Sequence, residues 1–130
     1  MSGAVERGRP GRTLVGRLRP NLDMVEGIEA ACAEHGLRHA QVRSAVGSLV
    51  DATLAFGGGQ RTVAGPGVEI LTLVGEVRPG ADGAPVADLR GTVGAPDASI
   101  HGGRFLRGAN AICITLELVL EEWLPEDDDE

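Results

Sequence analysis

The segment Val68-Glu69-Ile70-Leu71-Thr72-Leu73-Val74-Gly75-Glu76-Val77 is the most strongly β-prone part of the chain. It is rich in Val, Ile, Leu and Thr, which favour the extended backbone of a strand. Apolar side chains stand at both odd and even positions, which is typical of a strand that is buried on both faces. The segment therefore predicts a central strand, and the other elements are expected to be arranged around it.

One segment that precedes this strand has the periodicity of a helix. Val25, Ile28 and Cys32 recur at three- and four-residue spacing, which places them on one face. Asn21 can cap the start of the helix, and Gly36 has the position of a left-handed C-terminal cap. The glutamates of the same segment are expected to face water: Glu26, Glu29 and Glu34.

Short β-prone runs elsewhere predict the remaining strands. They lie at residues 12–19, 40–50, 53–56, 86–93, 104–106 and 112–121. The last run alternates apolar and polar side chains with period two, the pattern of a strand with one buried face. Together these segments predict an α/β fold with about six or seven strands and one main helix.

Composition limits the class of protein. The 130 residues are 42% hydrophobic but include only three aromatic side chains, so the core must be aliphatic. A formal net charge of −7 works against non-specific attraction to nucleic acid or to anionic lipid. No apolar stretch approaches the roughly 20 residues that a membrane helix needs, and the start of the chain lacks a signal-peptide pattern. We therefore expect a cytoplasmic protein with no membrane partner.

The two ends of the chain differ from the middle. Residues 1–11 are rich in Gly, Arg and Pro without periodicity, which predicts a flexible arm. Residues 12–124 have the length and composition of one domain. Residues 125–130 are almost entirely acidic, which predicts a solvated, disordered tail.

Four segments, in this order, resemble the plant-and-prokaryote conserved (PPC) domain family. They are residues 37–49, 51–54, 68–75 and 102–106. The most specific pieces are Glu-Ile-Leu-x-Leu-x-Gly at 69–75 and Ser-Ala-x-Gly at 44–47, and the similarity spans about residues 12–123. The resemblance implies a two-layer α+β fold, with a mixed, mostly antiparallel sheet packed on one main helix. It also implies a homotrimer.

The resemblance bears on metal binding as well. Many prokaryotic relatives carry a His-x-His pair followed by Gly-Gly-His, which together can hold a metal ion. In this chain the pair aligns with Asp88 and Arg90, and the third histidine aligns with Arg104. Arginine stays protonated and offers no lone pair to a metal. One carboxylate is not a site by itself, so we expect neither a metal nor another cofactor.

The same replacements suggest a pocket for a small anion. If Arg90 and Arg104 occupy the histidine positions, they converge with Asp88 and with His101. Two guanidinium groups suit a carboxylate or a phosphate, and Ser44 could add a hydroxyl. In the alternative interpretation Asp88 and the arginines pair with one another or with neighbouring subunits and bind nothing.

A second functional alternative is DNA binding. Arg7-Gly8-Arg9-Pro10 reproduces the core of an AT-hook, an extended motif that lies in the minor groove of A·T-rich DNA. Arg12 adds a third cation, whereas Glu6 stands where a basic residue would help. In the competing interpretation the arm has no function.

Catalysis is the weaker alternative. The chain has no phosphate-binding Gly-Lys-Ser/Thr loop and no Gly-x-Ser-x-Gly nucleophile. An enzyme acting on a small carboxylate would use His101 or Glu69 as its base. No constellation in the chain requires this, so we expect a non-catalytic protein.

Overall fold

The computed structural model describes residues 3–126 and consists of one antiparallel sheet and one helix. The elements are β1 (Gly8–Leu18), α1 (Met24–Glu34), β2 (Ala40–Leu49), β3 (Ala52–Phe56), β4 (Gly59–Val63), β5 (Val68–Pro79), β6 (Pro85–Gly94), β7 (Ile100–Phe105) and β8 (Ile112–Pro125). The strands follow the order β1-β8-β2-β5-β6-β7-β3-β4, and every neighbouring pair is antiparallel.

The predicted fold class is confirmed in outline, but the strand count was too low. The sheet has eight strands, not six or seven, and the helix is short, with 11 residues. The additional strand, β4, has the sequence Gly-Gln-Arg-Thr-Val and forms a hairpin with β3. Its polar composition carries no period-two signal, and its extended backbone is stabilised by pairing with β3 rather than by local propensity.

Strand β5 lies between β2 and β6, near the middle of the sheet. Val68, Leu73 and Val77 are buried against the core, as expected. Leu71 and Val74 were expected to be buried on the other face, yet Val74 is 58% exposed. At Leu71 and Val74, the second face of β5 is therefore apolar and open to solvent in the single chain.

The helix begins and ends at specific polar and glycine residues. Asp23, not the predicted Asn21, is the N-cap, and its Oδ2 accepts a hydrogen bond from Glu26 N at 3.0 Å. Gly36, with φ of 68°, ends the helix as predicted, and Leu37 N donates to Cys32 O at 2.9 Å. No helix in the described part of the chain is long and apolar enough to cross a membrane.

Glu29 corrects another expectation about the helix. Its side chain is buried rather than solvated, because this position of α1 packs toward β6. The Oε2 atom accepts a hydrogen bond from Ala87 N at 2.8 Å and a second one from the guanidinium of Arg107. These two donors compensate for the removal of the carboxylate from water.

The sheet has two unlike faces. Side chains of α1 and of alternate strand positions form one core, aliphatic apart from Phe105, on the face that we call the inner face. The opposite positions form the outer face, where Val15 on β1 is 80% exposed and Val46 on β2 is 67% exposed. Val74 on β5 continues this apolar surface across the sheet.

Both chain ends differ from their predicted boundaries. Strand β1 begins at Gly8, within the predicted arm, because the backbone from Gly8 to Pro10 pairs with residues 123–125 of β8. Glu6 accepts hydrogen bonds from Trp123 and from Arg78, so residues 6–10 lie against the body of the domain. Pro125 of the predicted tail ends β8, and residues 127–130 lie outside the described range.

Candidate anion-binding site

The β6–β7 register brings two arginines together on the outer face. Arg90 lies directly opposite Arg104, next to the glycine pair Gly91 and Gly103. Both arginine side chains are exposed. Residues directly opposite each other in an antiparallel pair project to the same face with Cβ atoms about 4.5–5.5 Å apart. The two guanidinium groups can therefore contact one small ligand.

Arg90 and Arg104 differ in their ion-pair partners. Arg90 forms an exposed ion pair with Asp88, with 3.4 Å between a guanidinium nitrogen and Oδ2. Arg104 makes no side-chain hydrogen bond or ion pair with any residue from 3 to 126. Asp88 therefore pairs with one arginine, and the second guanidinium keeps its hydrogen-bond donors available.

The other two predicted site residues are not equally placed. Ser44 is exposed on β2, opposite Val119, and β5 separates it from β6. His101 lies opposite the buried Val93, on the inner side of the sheet, away from Arg104. The expectation that His101 converges with the arginines is wrong, because residues three apart on one strand project to opposite faces.

The residues at this position do not fit a metal ion. Asp88 supplies carboxylate oxygens, whereas Arg90 and Arg104 have no lone pair to donate. Within residues 3–126, no group of three His, Cys, Asp or Glu side chains is close enough to hold a metal.

Two of the three arginines of the predicted DNA-binding arm, Arg7 and Arg12, form ion pairs with carboxylates of the domain. Arg7 Nε lies 3.1 Å from Glu126 Oε2. Arg12 contacts both oxygens of Glu122 at 3.0–3.1 Å, and the Arg12 hydrogen bonds lower the pKa of that carboxyl. Arg9 is exposed on β1. Residues 8–10 of the Arg-Gly-Arg-Pro segment are thus part of the sheet, so the segment is not a free extended motif.

Neither His101 nor Glu69, the two candidate general bases, has the surroundings that a general base needs. His101 Nδ1 lies 3.1 Å from a guanidinium nitrogen of Arg61. Arginine only donates, so Nδ1 accepts and Nε2 carries the proton of the neutral ring. Glu69 is exposed at the start of β5, where its carboxylate meets water. Arg61 is not among the predicted site residues, because it stands 40 residues before His101 in the chain.

An antiparallel sheet with one helix on its inner face and charged side chains on its outer face defines a small α/β domain with an open sheet surface. This chain belongs to the Plants and Prokaryotes Conserved (PCC) domain family, the PPC family named above, whose profile matches residues 5–124. No curated protein sequence matches the chain.

Solved structures share the fold at low sequence identity. A PPC protein of Pyrococcus horikoshii superposes with a TM-score of 0.81 at 19% identity, over 96% of this chain and 87% of its own. A metal-containing protein of Archaeoglobus fulgidus gives 0.81 at 23% identity, over 95% and 88%. A candidate DNA-binding protein of Bacteroides thetaiotaomicron gives 0.74 at 20% identity, over 88% and 83%.

Proposed function

We propose that this protein is a non-catalytic PPC-domain module that binds a small anion, a carboxylate or a phosphate, between Arg90 and Arg104. One observation supports this most directly: the two arginines lie opposite each other while only Arg90 has a carboxylate partner. Like charges directly opposite each other destabilise a sheet. An anion that bridges both guanidinium groups removes that repulsion and gains charge-assisted hydrogen bonds.

We further propose that the protein acts as a cytoplasmic homotrimer. The outer face supports this, because Val15, Val46 and Val74 leave an apolar surface across several strands. Exposed apolar sheet faces of this kind favour association with another protein surface. Val74 lies opposite Arg90, so a subunit that covers this face also encloses the arginine pair. Light scattering on the purified chain measures this assembly separately from anion binding.

Thermal unfolding in inorganic phosphate, at constant ionic strength, tests the anion proposal. A ligand that binds only the folded state raises the unfolding temperature as its concentration rises. We expect this rise in the wild type and its loss in the Arg90→Gln/Arg104→Gln variant. Arg43→Gln is the matched control, because Arg43 is an exposed arginine on β2 with a 4.0 Å contact to Glu121. If phosphate does not stabilise the wild type, or the double variant responds equally, the proposal is wrong.

DNA binding is the second candidate function. The Bacteroides protein and one of Ralstonia eutropha, at 18% identity and a TM-score of 0.71, are both described as candidate DNA-binding proteins. Three copies of Arg7, Arg9 and Arg12 in a trimer would add their contacts. The contacts of Arg7 with Glu126 and of Arg12 with Glu122 would have to be replaced by phosphates.

Fluorescence anisotropy with an A·T-rich and a G·C-rich duplex tests this second candidate. The variant is Arg7→Ala/Arg9→Ala in the full-length chain, since deletion of residues 1–11 also removes part of β1. Micromolar binding that prefers A·T, falls steeply with salt and needs these arginines would favour the DNA function. Absence of binding at low salt would exclude it.

A further inference from the structure

A polar cleft lies on the side of the sheet that carries His101, away from Arg90 and Arg104. Its volume is about 390 Å³, and it separates the end of β4 and the residues that follow from the turn between β6 and β7. Arg61 and Thr62 line the first wall, and Asp97, Ser99 and His101 line the second. Ligand sites for small molecules typically have volumes of about 300–1,000 Å³, so a small ligand fits here.

The polar groups of the cleft form one directed chain of hydrogen bonds. Arg61 donates to His101 Nδ1 at 3.1 Å, because a guanidinium has no acceptor. His101 Nε2 then donates to Ser99 Oγ at 2.9 Å, and Ser99 Oγ donates to Asp97 Oδ1 at 2.5 Å. The hydrogen bonds from Ser99 lower the pKa of Asp97, so its carboxylate remains an acceptor at neutral pH.

This arrangement orients the Arg61 guanidinium without neutralising it. The partner of Arg61 is the Nδ1 atom of His101, and no carboxylate of residues 3–126 forms an ion pair with Arg61. Asp97 is separated from Arg61 by both His101 and Ser99. The guanidinium has five N–H donors, and one of them donates to the imidazole of His101. The others remain available on the wall of the cleft.

We propose that this cleft is a second ligand site, which binds a small monocarboxylate through Arg61. The planar guanidinium group can donate two parallel hydrogen bonds to the two oxygens of a carboxylate. The carboxylate of Asp97 on the facing wall repels a phosphate dianion roughly twice as strongly as a monocarboxylate, so it favours the anion of lower charge. His101 is a positioning residue, since it contacts Arg61 and orients it. The site is independent of the anion site on the outer face.

Nuclear magnetic resonance titration of the full-length protein with acetate tests this site. We expect saturable shifts of the backbone amides of Thr62, Ser99 and His101 in the wild type. Arg61→Gln should weaken the acetate affinity by about tenfold or more, since a charge-assisted hydrogen-bonded pair is lost. Arg19→Gln, at an exposed arginine that follows β1, is the matched control and should leave the affinity unchanged.

Two further variants distinguish the cleft from the site on the outer face and test the role of His101. The Arg90→Gln/Arg104→Gln variant should keep the acetate shifts at the cleft, whatever happens to anion binding on the outer face. His101→Phe should weaken acetate binding although Arg61 is still present, because the guanidinium loses its orientation. The proposal is overturned if the cleft amides do not respond saturably to acetate, if Arg61→Gln binds acetate as well as the wild type, or if inorganic phosphate binds the cleft more tightly than acetate.

Discussion

The carboxylate of Glu6 accepts a hydrogen bond from the indole nitrogen of Trp123 at 2.8 Å, across 117 residues of sequence. The same oxygen accepts a hydrogen bond from Arg78 on β5 at 3.3 Å. Glu6 thus joins the start of the chain to the ends of two strands. It fixes the residues that precede β1, and this explains why the Arg-Gly-Arg-Pro segment does not lie free in solution.

Protonation of Glu6 should change the fluorescence of Trp123. The hydrogen bond from Trp123 and the contacts with Arg78 lower the pKa of Glu6 below its usual value of 4.5. The stabilisation is therefore present above that value and is lost as the pH falls through the lower pKa of the folded state. Trp123 is the only tryptophan and the chain has no tyrosine, so its emission reports this site.

We expect an emission change with a midpoint below pH 4.5 in the folded protein. Glu6→Gln should abolish it, while Glu126→Gln, which removes the neighbouring partner of Arg7, should leave it in place. An unchanged transition in Glu6→Gln would show that another carboxyl group controls the emission.

Gly75→Ala should destabilise the fold strongly. Gly75 has φ of 148°, and a Cβ added there would clash with the carbonyl oxygen of Asp88 and lie 2.9 Å from Leu89 Cα. We expect a loss of more than about 2 kcal/mol in the free energy of unfolding, from backbone strain and steric overlap together. Urea denaturation measures this loss. Gly58→Ala, in the turn between β3 and β4 where a Cβ meets no atom within 4 Å, should be nearly neutral.

Asn110→Ala should also be strongly destabilising. This fully buried amide accepts a hydrogen bond from Thr53 N at 2.9 Å and donates to Thr53 O at 3.1 Å and Leu106 O at 2.8 Å. Its loss leaves three backbone groups without that partner, for which we expect about 3 kcal/mol or more. Gln60→Ala on the exposed strand β4 is the control. Equal urea midpoints for the two variants would show that the hydrogen bonds of Asn110 do not stabilise the fold.

Asn110→Asp provides a second measurement at this position. An ionised carboxylate would place an acceptor against the two carbonyl oxygens that now receive the amide protons. Burial raises the pKa of such a group in the folded state. The variant should therefore be more stable relative to the wild type in mild acid than at neutral pH. A difference in stability that does not depend on pH would contradict this prediction.

Arg104→Gln should increase the stability of the ligand-free protein. The substitution removes repulsion between directly opposed cations, an effect of roughly 0.2–1 kcal/mol for a cross-strand pair. High NaCl should reduce the difference between the urea midpoints of variant and wild type, because it screens exposed charges. Arg90→Gln should increase the stability by less than Arg104→Gln does, since it also removes the ion pair with Asp88. A lower midpoint for Arg104→Gln in low-salt, phosphate-free buffer would show that the arginines do not repel each other.

Local sequence determined the elements whose side chains alone define a buried face. The spacing of Val25, Ile28 and Cys32 with the stop at Gly36 predicted α1, and apolar content predicted β5. Strand β4 and the start of β1 at Gly8 carried no such signal. Their backbones are extended because a neighbouring strand supplies hydrogen-bond partners, which is a property of the tertiary fold.

The same division applies to the candidate sites. Alignment with the family's metal motif predicted the proximity of Arg90 and Arg104, and the strand register brings them together. Strand alternation, in contrast, separates His101 from them, and the pairing of distant strands places it beside Arg61. The sequence by itself determined which residues carry charge and which segments are apolar. Only the tertiary structure decided which charges share a face, because strand register and sheet order arise from contacts between segments far apart in the chain.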